Sequence, residues 1–475
     1  MRLTAAQIAA FSGAETLIAA PDGQPALTSF AWDSRALESG GLFVALPGER
    51  YDGNDFILAA CERGAAAILA TREPDRRMRA AAEAAGATLL RVRDGQRALA
   101  RLATAWRQMI APEVVAITGS SGKTTTRELA AAVAAQVFET HASLANYNNE
   151  LGVPATVLSA SEASEVLIVE LAMRGLGQIA ELAAIAQPRI GVLTNVGCAH
   201  LELLGSREAI ARAKAELIEA LPDGRGVAIL NGDDAYTPFI RELAGVEQRE
   251  LQTVSFGLGS HNDVRAAHIV YDATGAPSFE LWLPGVPEPL FVALQLPGEH
   301  SVRNALAAAA VGASLAIAPA LIAEALASVV PPPLRQARLV LSNGTVVLDD
   351  SYNANPDSVR AALAVLAAYP SERTHIAVLG DMLELGPDEY DLHRDIGTRV
   401  RESGVDVLIA VGKRSRAIVE GARAAGMSAD ALFDVADVHE ALTTLRPLLA
   451  NAPIVLVKAS RSMGLDQIAE ELSRP

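Results

Sequence analysis

Cysteine is nearly absent from this 475-residue chain, which has only Cys61 and Cys198. Two isolated thiols make neither a disulfide framework nor a zinc knot, so nothing here calls for an oxidising compartment. Positive charge is also scarce: 40 Lys and Arg against 56 Asp and Glu leave a net charge of −16. That balance argues against a general nucleic-acid or anionic-membrane binder, so any phosphate site has to be built locally. The longest apolar segment, Ala305 to Leu326, is mostly alanine, follows Arg303-Asn304 and contains Glu324. It reads as packed Ala-rich helices rather than a membrane span. The first residues, Met1-Arg2-Leu3-Thr4-Ala5-Ala6-Gln7, hold one Arg and no long apolar core, so no signal peptide is read and a cytoplasmic location is expected.

What the chain does have is Val114-Val115-Ala116-Ile117-Thr118-Gly119-Ser120-Ser121-Gly122-Lys123-Thr124-Thr125, an apolar β-branched run, a glycine-bracketed loop and a helical start. It reads as a phosphate-binding loop. Gly119 and Gly122 let backbone N–H groups turn inward on phosphate oxygens, Lys123 supplies a mobile cation, and the Thr124 hydroxyl can reach a magnesium ion. The standard motif has four residues between its glycines, so this loop is a shortened variant.

The length suits two to three domains of about 100–200 residues. Residues 1–110 mix strand-like runs (Gly41 to Leu46, Ala66 to Ala70) with Ala-rich helical stretches and read as a smaller α/β domain. Its polar clusters Asp33-Ser34-Arg35 and Pro47 to Asn54 suit turns. Residues 111–330 alternate apolar runs with helices, the pattern of a parallel sheet with crossover helices. Strands are expected at Val166 to Glu170, Ile190 to Thr194 and Val227 to Leu230, each ending in polar residues where the ligands of open α/β sheets sit. Glu170 stands where P-loop enzymes keep a magnesium-binding carboxylate. Ser206 to Leu221 is an amphipathic helix with Ser206 as its cap, and Lys214 shares the apolar stripe of Ile210 and Ile218. Either its stem packs while the ammonium reaches water, or the nitrogen is held in a site. His200 follows the edge of the same site.

After Pro331-Pro332-Pro333, a stiff linker or hinge, residues 331–475 restart the alternation as a C-terminal Rossmann-like doubly wound domain. Strands fall at Val346 to Asp350, His375 to Gly380, Val405 to Val411 and Pro453 to Val457, with a helix from Ser358. No Gly-x-Gly-x-x-Gly follows the first strand, so a dinucleotide role is unsupported. The donor-rich strand ends suit recognition of a zwitterion.

Four segments together, the loop Thr118 to Thr125, Asn195-Val196-Gly197-Cys198-Ala199-His200-Leu201, the Lys214-Ala215-Glu216 helix and Leu296-Pro297-Gly298-Glu299-His300-Ser301-Val302-Arg303-Asn304-Ala305, resemble the Mur ligases over essentially the whole chain. Asp349 to Ser358 and Gly380 to Gly386 are similar to the branch that uses D-alanyl-D-alanine and UDP-N-acetylmuramoyl-tripeptide. The resemblance implies an α/β fold of three domains and an ATP-dependent ligase acting through an acyl phosphate, with those two small molecules as its only partners: no nucleic acid, no membrane span, and a monomer. It also implies residue roles. Gly119, Ser120, Ser121, Gly122, Lys123, Thr124 and Thr125 would hold the ATP phosphates, with Asn149, His300, Asn304, Arg338 and Asp350 on the rest of the nucleotide. Thr124, Glu170, His200 and Lys214 would serve two magnesium ions, Lys214 as a carbamate formed from carbon dioxide, and Lys123, His200 and Lys214 would be the catalytic set. Ser34 and Arg35 would bind the UDP-sugar substrate, Asn353 and Asn355 the dipeptide. Asn54 stands where His is common, Ala337 where Gly usually precedes the Arg, and Ala459 where Gly is usual. The competing readings are a folylpolyglutamate synthase-like amide ligase and a non-catalytic ATP-gated switch.

Overall fold

The apolar runs become strands whose two faces are both covered, as continuous rather than alternating hydrophobicity requires. The computed structural model describes every residue except Pro21, Asp22, Glu49, Ala145, Ala199, His200 and Pro475. Among the described residues the strands form three sheets, of five, nine and six strands. The first runs Glu15–Ile18, Thr88–Arg91, Ala67–Ala70, Leu42–Val44, Phe30–Ala31, with only its first pair antiparallel. Leu42–Val44 and Ala67–Ala70 are fully buried at its centre, whereas the half-exposed Glu15–Ile18 offers little pattern to read.

The second sheet is organised around Glu113–Thr118, flanked by Val166–Glu170 on one side and Ile190–Leu193 on the other. Strand periodicity divides its side chains. Val115 and Ile117 face helices Lys123–Ala134 and Glu299–Ser314, while Val114 and Ala116 face Gly152–Ser159, Gln178–Ala186 and Arg207–Glu219. The Ala-rich segment forms two packed helices, Glu299–Ser314 and Pro319–Ser328. A wholly parallel sheet was the expectation; beyond Gln252–Gly257, however, Val264–Tyr271, Pro277–Trp282 and Leu290–Ala293 extend it as an antiparallel ribbon. The buried/half-buried alternation of Pro277–Trp282 is what one-sided burial of such a ribbon produces.

The third sheet runs Ala337–Val340, Val346–Asp349, Ile454–Lys458, His375–Gly380, Val407–Val411, Leu432–Val435, parallel except at its first edge. Its first crossover helix, Pro356–Ala367, starts two residues before the expected Ser358, because Asn355 caps it by accepting from Ser358 N and Pro356 occupies the first turn.

Helix Gly95–Ile110 ties the first sheet to the second: Trp106 Nε1 donates to Ala160 O at 3.0 Å, and Arg107 donates to the carbonyls of Ala186 and Gln187. The second and third units meet where Cys198 N donates to Asp357 Oδ2 at 3.4 Å and Glu202 N to Glu384 O at 3.3 Å. Among the described residues no helix is long and apolar enough to cross a membrane.

Candidate active site

The carboxyl ends of the second and third sheets enclose a cavity of about 1280 Å³. On the central side, Gly119 and Gly122 are held so close to their neighbours that no other residue fits. A Cβ on Gly119 would lie 1.8 Å from Thr194 Oγ1, and one on Gly122 would lie 2.3 Å from Asn304 Oδ1; both glycines also have positive φ. The strand end after Ile190–Leu193 pins the loop. Asn195 accepts from Ser120 N at its carbonyl and from Ser121 N at its Oδ1, and Thr194 Oγ1 donates to Ser121 O at 2.6 Å. With those two amides occupied, the N–H groups from Gly122 through Thr125 are left at the start of helix Lys123–Ala134, where an α-helix has no internal partners for them. Such a terminus is an anion cradle, with the helix dipole adding to it.

Lys123 Nζ donates to Gly119 O at 2.8 Å. Burial pushes its ammonium below the ordinary lysine range, Glu170 offsets part of that, and Arg335 adds to it. Glu170 is 2 % exposed and fully engaged: its Oε2 accepts from Thr124 Oγ1 and its Oε1 from Asn148 Nδ2, each at 2.9 Å, with Arg127 Nη1 3.6 Å away. A threonine hydroxyl against a carboxylate is an all-oxygen pair of the kind Mg²⁺ uses together with phosphate oxygens and water. The donor chemistry therefore fits that ion, although among the described residues no three His, Cys, Asp or Glu side chains converge. His200 lies outside the described residues.

Lys214 sits in helix Arg207–Glu219 behind this wall, and its residue is 2 % exposed. Its burial removes the reading in which the ammonium reaches water. Among the described residues no side chain bonds its ammonium; burial, with repulsion from Lys123, drives its pKa well below the ordinary lysine value. It does not line the cavity itself.

The C-terminal wall is assembled from distant segments. Lys458 Nζ bonds Asp350 Oδ2 at 2.5 Å and Asn353 O at 2.9 Å, almost entirely out of water. His300 lies in the cavity; burial lowers its pKa, and the nearby Asp350 partly restores it. Arg335 lines the cavity with its guanidinium over Tyr352, 4.0 Å from the ring centroid. Asn304 also lines it and contacts Thr126.

Several expected residues are placed elsewhere or are otherwise engaged. Arg338 is exposed on the edge strand Ala337–Val340, beside Tyr369 and outside the cavity; the arginine of that segment that lines the cavity is Arg335, in the chain leading into the strand. Asn149 reaches the cavity, but its Oδ1 accepts from Gly152 N, capping a helix, and it is Asn148 that reaches Glu170. Asn353 and Asn355 both line the cavity, Asn355 with its Oδ1 used in capping. Ser34 and Arg35 lie in a short 3-10 turn capped by Asp33, away from the cavity; Ser34 is buried, and Arg35 pairs with Asp33 and holds its carboxyl down at about 2. Sequence reasoning passed over Asn148, Arg335 and Gln336, and took Lys458 only as part of a donor-rich strand end. Only Lys458, a lone cation ending an apolar strand, carried a signal comparable to that of Lys214.

Known proteins share this arrangement throughout the chain. Models of the Mur ligase family match it three times: the catalytic domain over residues 28–107, the middle domain over 117–312 and the glutamate ligase domain over 335–461. A UDP-N-acetylmuramoyl-tripeptide--D-alanyl-D-alanine ligase from Mycobacterium leprae is 39 % identical, covering 94 % of this chain and 92 % of its own length. The chain belongs to the Mur ligase family. Its Escherichia coli relative of the same description is 35 % identical over 94 % of both chains. Among solved structures, MurF from Acinetobacter baumannii aligns with a TM-score of 0.87, 31 % identity and 99 % of both chains. MurF ligase from Thermotoga maritima in complex with ADP aligns at 0.79, 28 % identical, covering 94 % of this Mur ligase and 96 % of its own chain. A folylpolyglutamate synthase from Mycobacterium tuberculosis, 17 % identical at a TM-score of 0.61, shares the fold alone.

Proposed function

We propose that this Mur ligase joins D-alanyl-D-alanine to UDP-N-acetylmuramoyl-tripeptide with conversion of ATP to ADP and phosphate. The full-length relatives described as that ligase and the ADP complex of a structural neighbour support both the reaction and the nucleotide. The observation that carries the reading is one cavity walled on one side by a P-loop with Thr124 against Glu170, and on the other by Asp350, Asn353 and Lys458.

A carboxylate does not condense with an amine in water, because the oxygen it would have to expel is a poor leaving group. In the proposed sequence, a carboxylate oxygen of the tripeptide attacks the γ-phosphorus of ATP and ADP leaves, giving an acyl phosphate. The dipeptide amine then attacks the acyl carbon, loses a proton and expels phosphate. The amides of Gly122 to Thr125 and the Lys123 ammonium hold the phosphates against the repulsion of the incoming anion, in a cleft where each interaction counts for more than in water. Thr124 and Glu170 would hold Mg²⁺, which supplies further neutralisation of phosphate charge. Closer approach of the two walls, which already touch at Cys198–Asp357 and Glu202–Glu384, would keep water from the acyl phosphate.

Lys214 would carry a carbamate. Its burial favours the neutral amine, the form that attacks carbon dioxide and releases a proton. Conversion replaces that buried amine near Lys123 with an anion suited to a second Mg²⁺. Ser34 and Arg35 would meet the UDP-sugar end of the substrate.

Phosphate release measured with each substrate omitted in turn tests the reading. Release requiring both D-alanyl-D-alanine and the UDP-tripeptide is expected. Hydrolysis with neither present would instead mark an ATP-gated switch.

A further inference from the structure

The turn after strand His375–Gly380 puts Leu383, Glu384 and Leu385 into the cavity and presents Glu384 O to Glu202 N of the central unit. With Ala354 and Ala361, the two leucines are apolar members of the C-terminal wall, a chemistry that suits the two methyl side chains of D-alanyl-D-alanine. Every residue leading into this turn is fixed. Asp381 Oδ1 accepts from Arg414 N at 2.9 Å and Ser415 N at 2.8 Å, and Ser460 Oγ accepts from Leu383 N at 2.9 Å. Between them Met382 N donates to His393 Nε2 at 3.0 Å. His393, on helix Glu389–Glu402, is 0 % exposed, and its Nδ1 lies 2.6 Å from Glu389 O. A carbonyl can only accept, so Nδ1 carries the proton and Nε2 is left as an acceptor aimed at the turn. Among the described residues its hydrogen bonds reach neither the nucleotide loop nor any residue of the mechanism above.

We infer that His393 is a positioning residue for the incoming dipeptide: neutral and locked in one tautomer, it holds Met382 so that Leu383 and Leu385 present the dipeptide's seat. This rests on the function proposed above. Doubly protonated, the ring would set Nε2–H against Met382 N–H and the turn would lose its middle anchor. Asp381, Glu389 and Arg414 are the charged groups that act on it, the two acids favouring the proton, with Arg414 and burial opposing it.

The test compares wild type, His393→Leu, which fills the space without an acceptor, and His393→Gln, which keeps one. In His393→Leu the KM for D-alanyl-D-alanine should rise about tenfold while that for ATP changes less than about twofold, and His393→Gln should recover most of the loss. Amide exchange of the segment 381–386 should speed up in the Leu variant and not in the Gln variant, a readout that needs no substrate. Equal rises in both KM values, or a folded Gln variant no better than Leu, overturn the inference. Should the Leu variant not fold, the pH profiles of wild type and His393→Gln decide: titration of the dipeptide amine is common to both, so wild type must show the steeper rise in dipeptide KM as pH falls, and coincident profiles overturn it. Wild type without any dipeptide-dependent turnover would instead remove the function itself, whereas intact turnover with coincident profiles removes only the role of His393.

Discussion

The two walls of the cavity are made in opposite ways. The central wall is one stretch, Gly119 to Thr125, whose chemistry comes from main-chain amides at a helix start and from glycines that no Cβ could replace. The C-terminal wall gathers Asp350, Leu383, Leu385 and Lys458 from three strand ends, and its order comes from buried side chains, Lys458, His393 and Ser460. A ligand that is the same for every member of a broad class, a phosphate chain, can be met by backbone. A small zwitterion has no such uniform handle and needs shaped side chains, which in turn need supports.

If this contrast is right, single substitutions should act differently on the two sides. Lys123→Ala, in the backbone-built wall, should leave the fold intact and lower kcat by about 10³-fold, as loss of a preorganised charge partner does; joint-substrate ADP release measures it, and unchanged turnover would remove the loop's assigned role. Lys458→Met should break the other wall through stability, because Asp350 would be left an unpaired acid in a nearly dry site. About 3 kcal/mol lost in urea unfolding is expected. A loss of activity without any loss of stability would erase the distinction.

Lys214 sharpens it from behind the central wall. Its folded pKa lies well below the ordinary 10.5, so between the two values the unfolded chain binds more protons and stability rises with pH. Lys214→Met should flatten that rise in unfolding measurements made without carbon dioxide, and Lys214→Ala should regain part of its turnover with added short carboxylates. The smallest effect is expected far from both walls. Arg35→Ala should raise the Asp33 pKa from about 2 part of the way toward the ordinary 3.8, since the residue-35 N–H still donates to Oδ1, read by NMR. The wild-type pair stabilises above the ordinary carboxylate pKa and loses that contribution as pH falls through about 2, a small term because both groups are exposed.

How much of the site was legible follows from the same division. Gly119 to Thr125, Glu170 and Lys214 could be singled out because local spacing marks them: glycines around a turn, an acid ending an apolar strand, a cation in an apolar helical stripe. That Arg335 rather than Arg338 lines the cavity could not be read, because nothing in a linear pattern says which side chain of an irregular lead-in turns toward a cavity. Asn149 was chosen over Asn148 for the same reason, since one caps a helix and the other reaches Glu170. The antiparallel ribbon went unread because its half-exposed strands carry no continuous apolar run.

By itself, then, the sequence determined the order of strands and crossover helices and the glycine-bracketed loop that opens helix Lys123–Ala134, both written in the short-range periodicity of side chains and the conformational freedom of glycine. Tertiary structure decided which of several candidate polar groups converge, the pairing of Lys458 with Asp350, and the lock of His393 on Met382. Those depend on which distant segments share a sheet edge, and the energy of a buried charge or hydrogen bond exists only once folding has excluded water from between them.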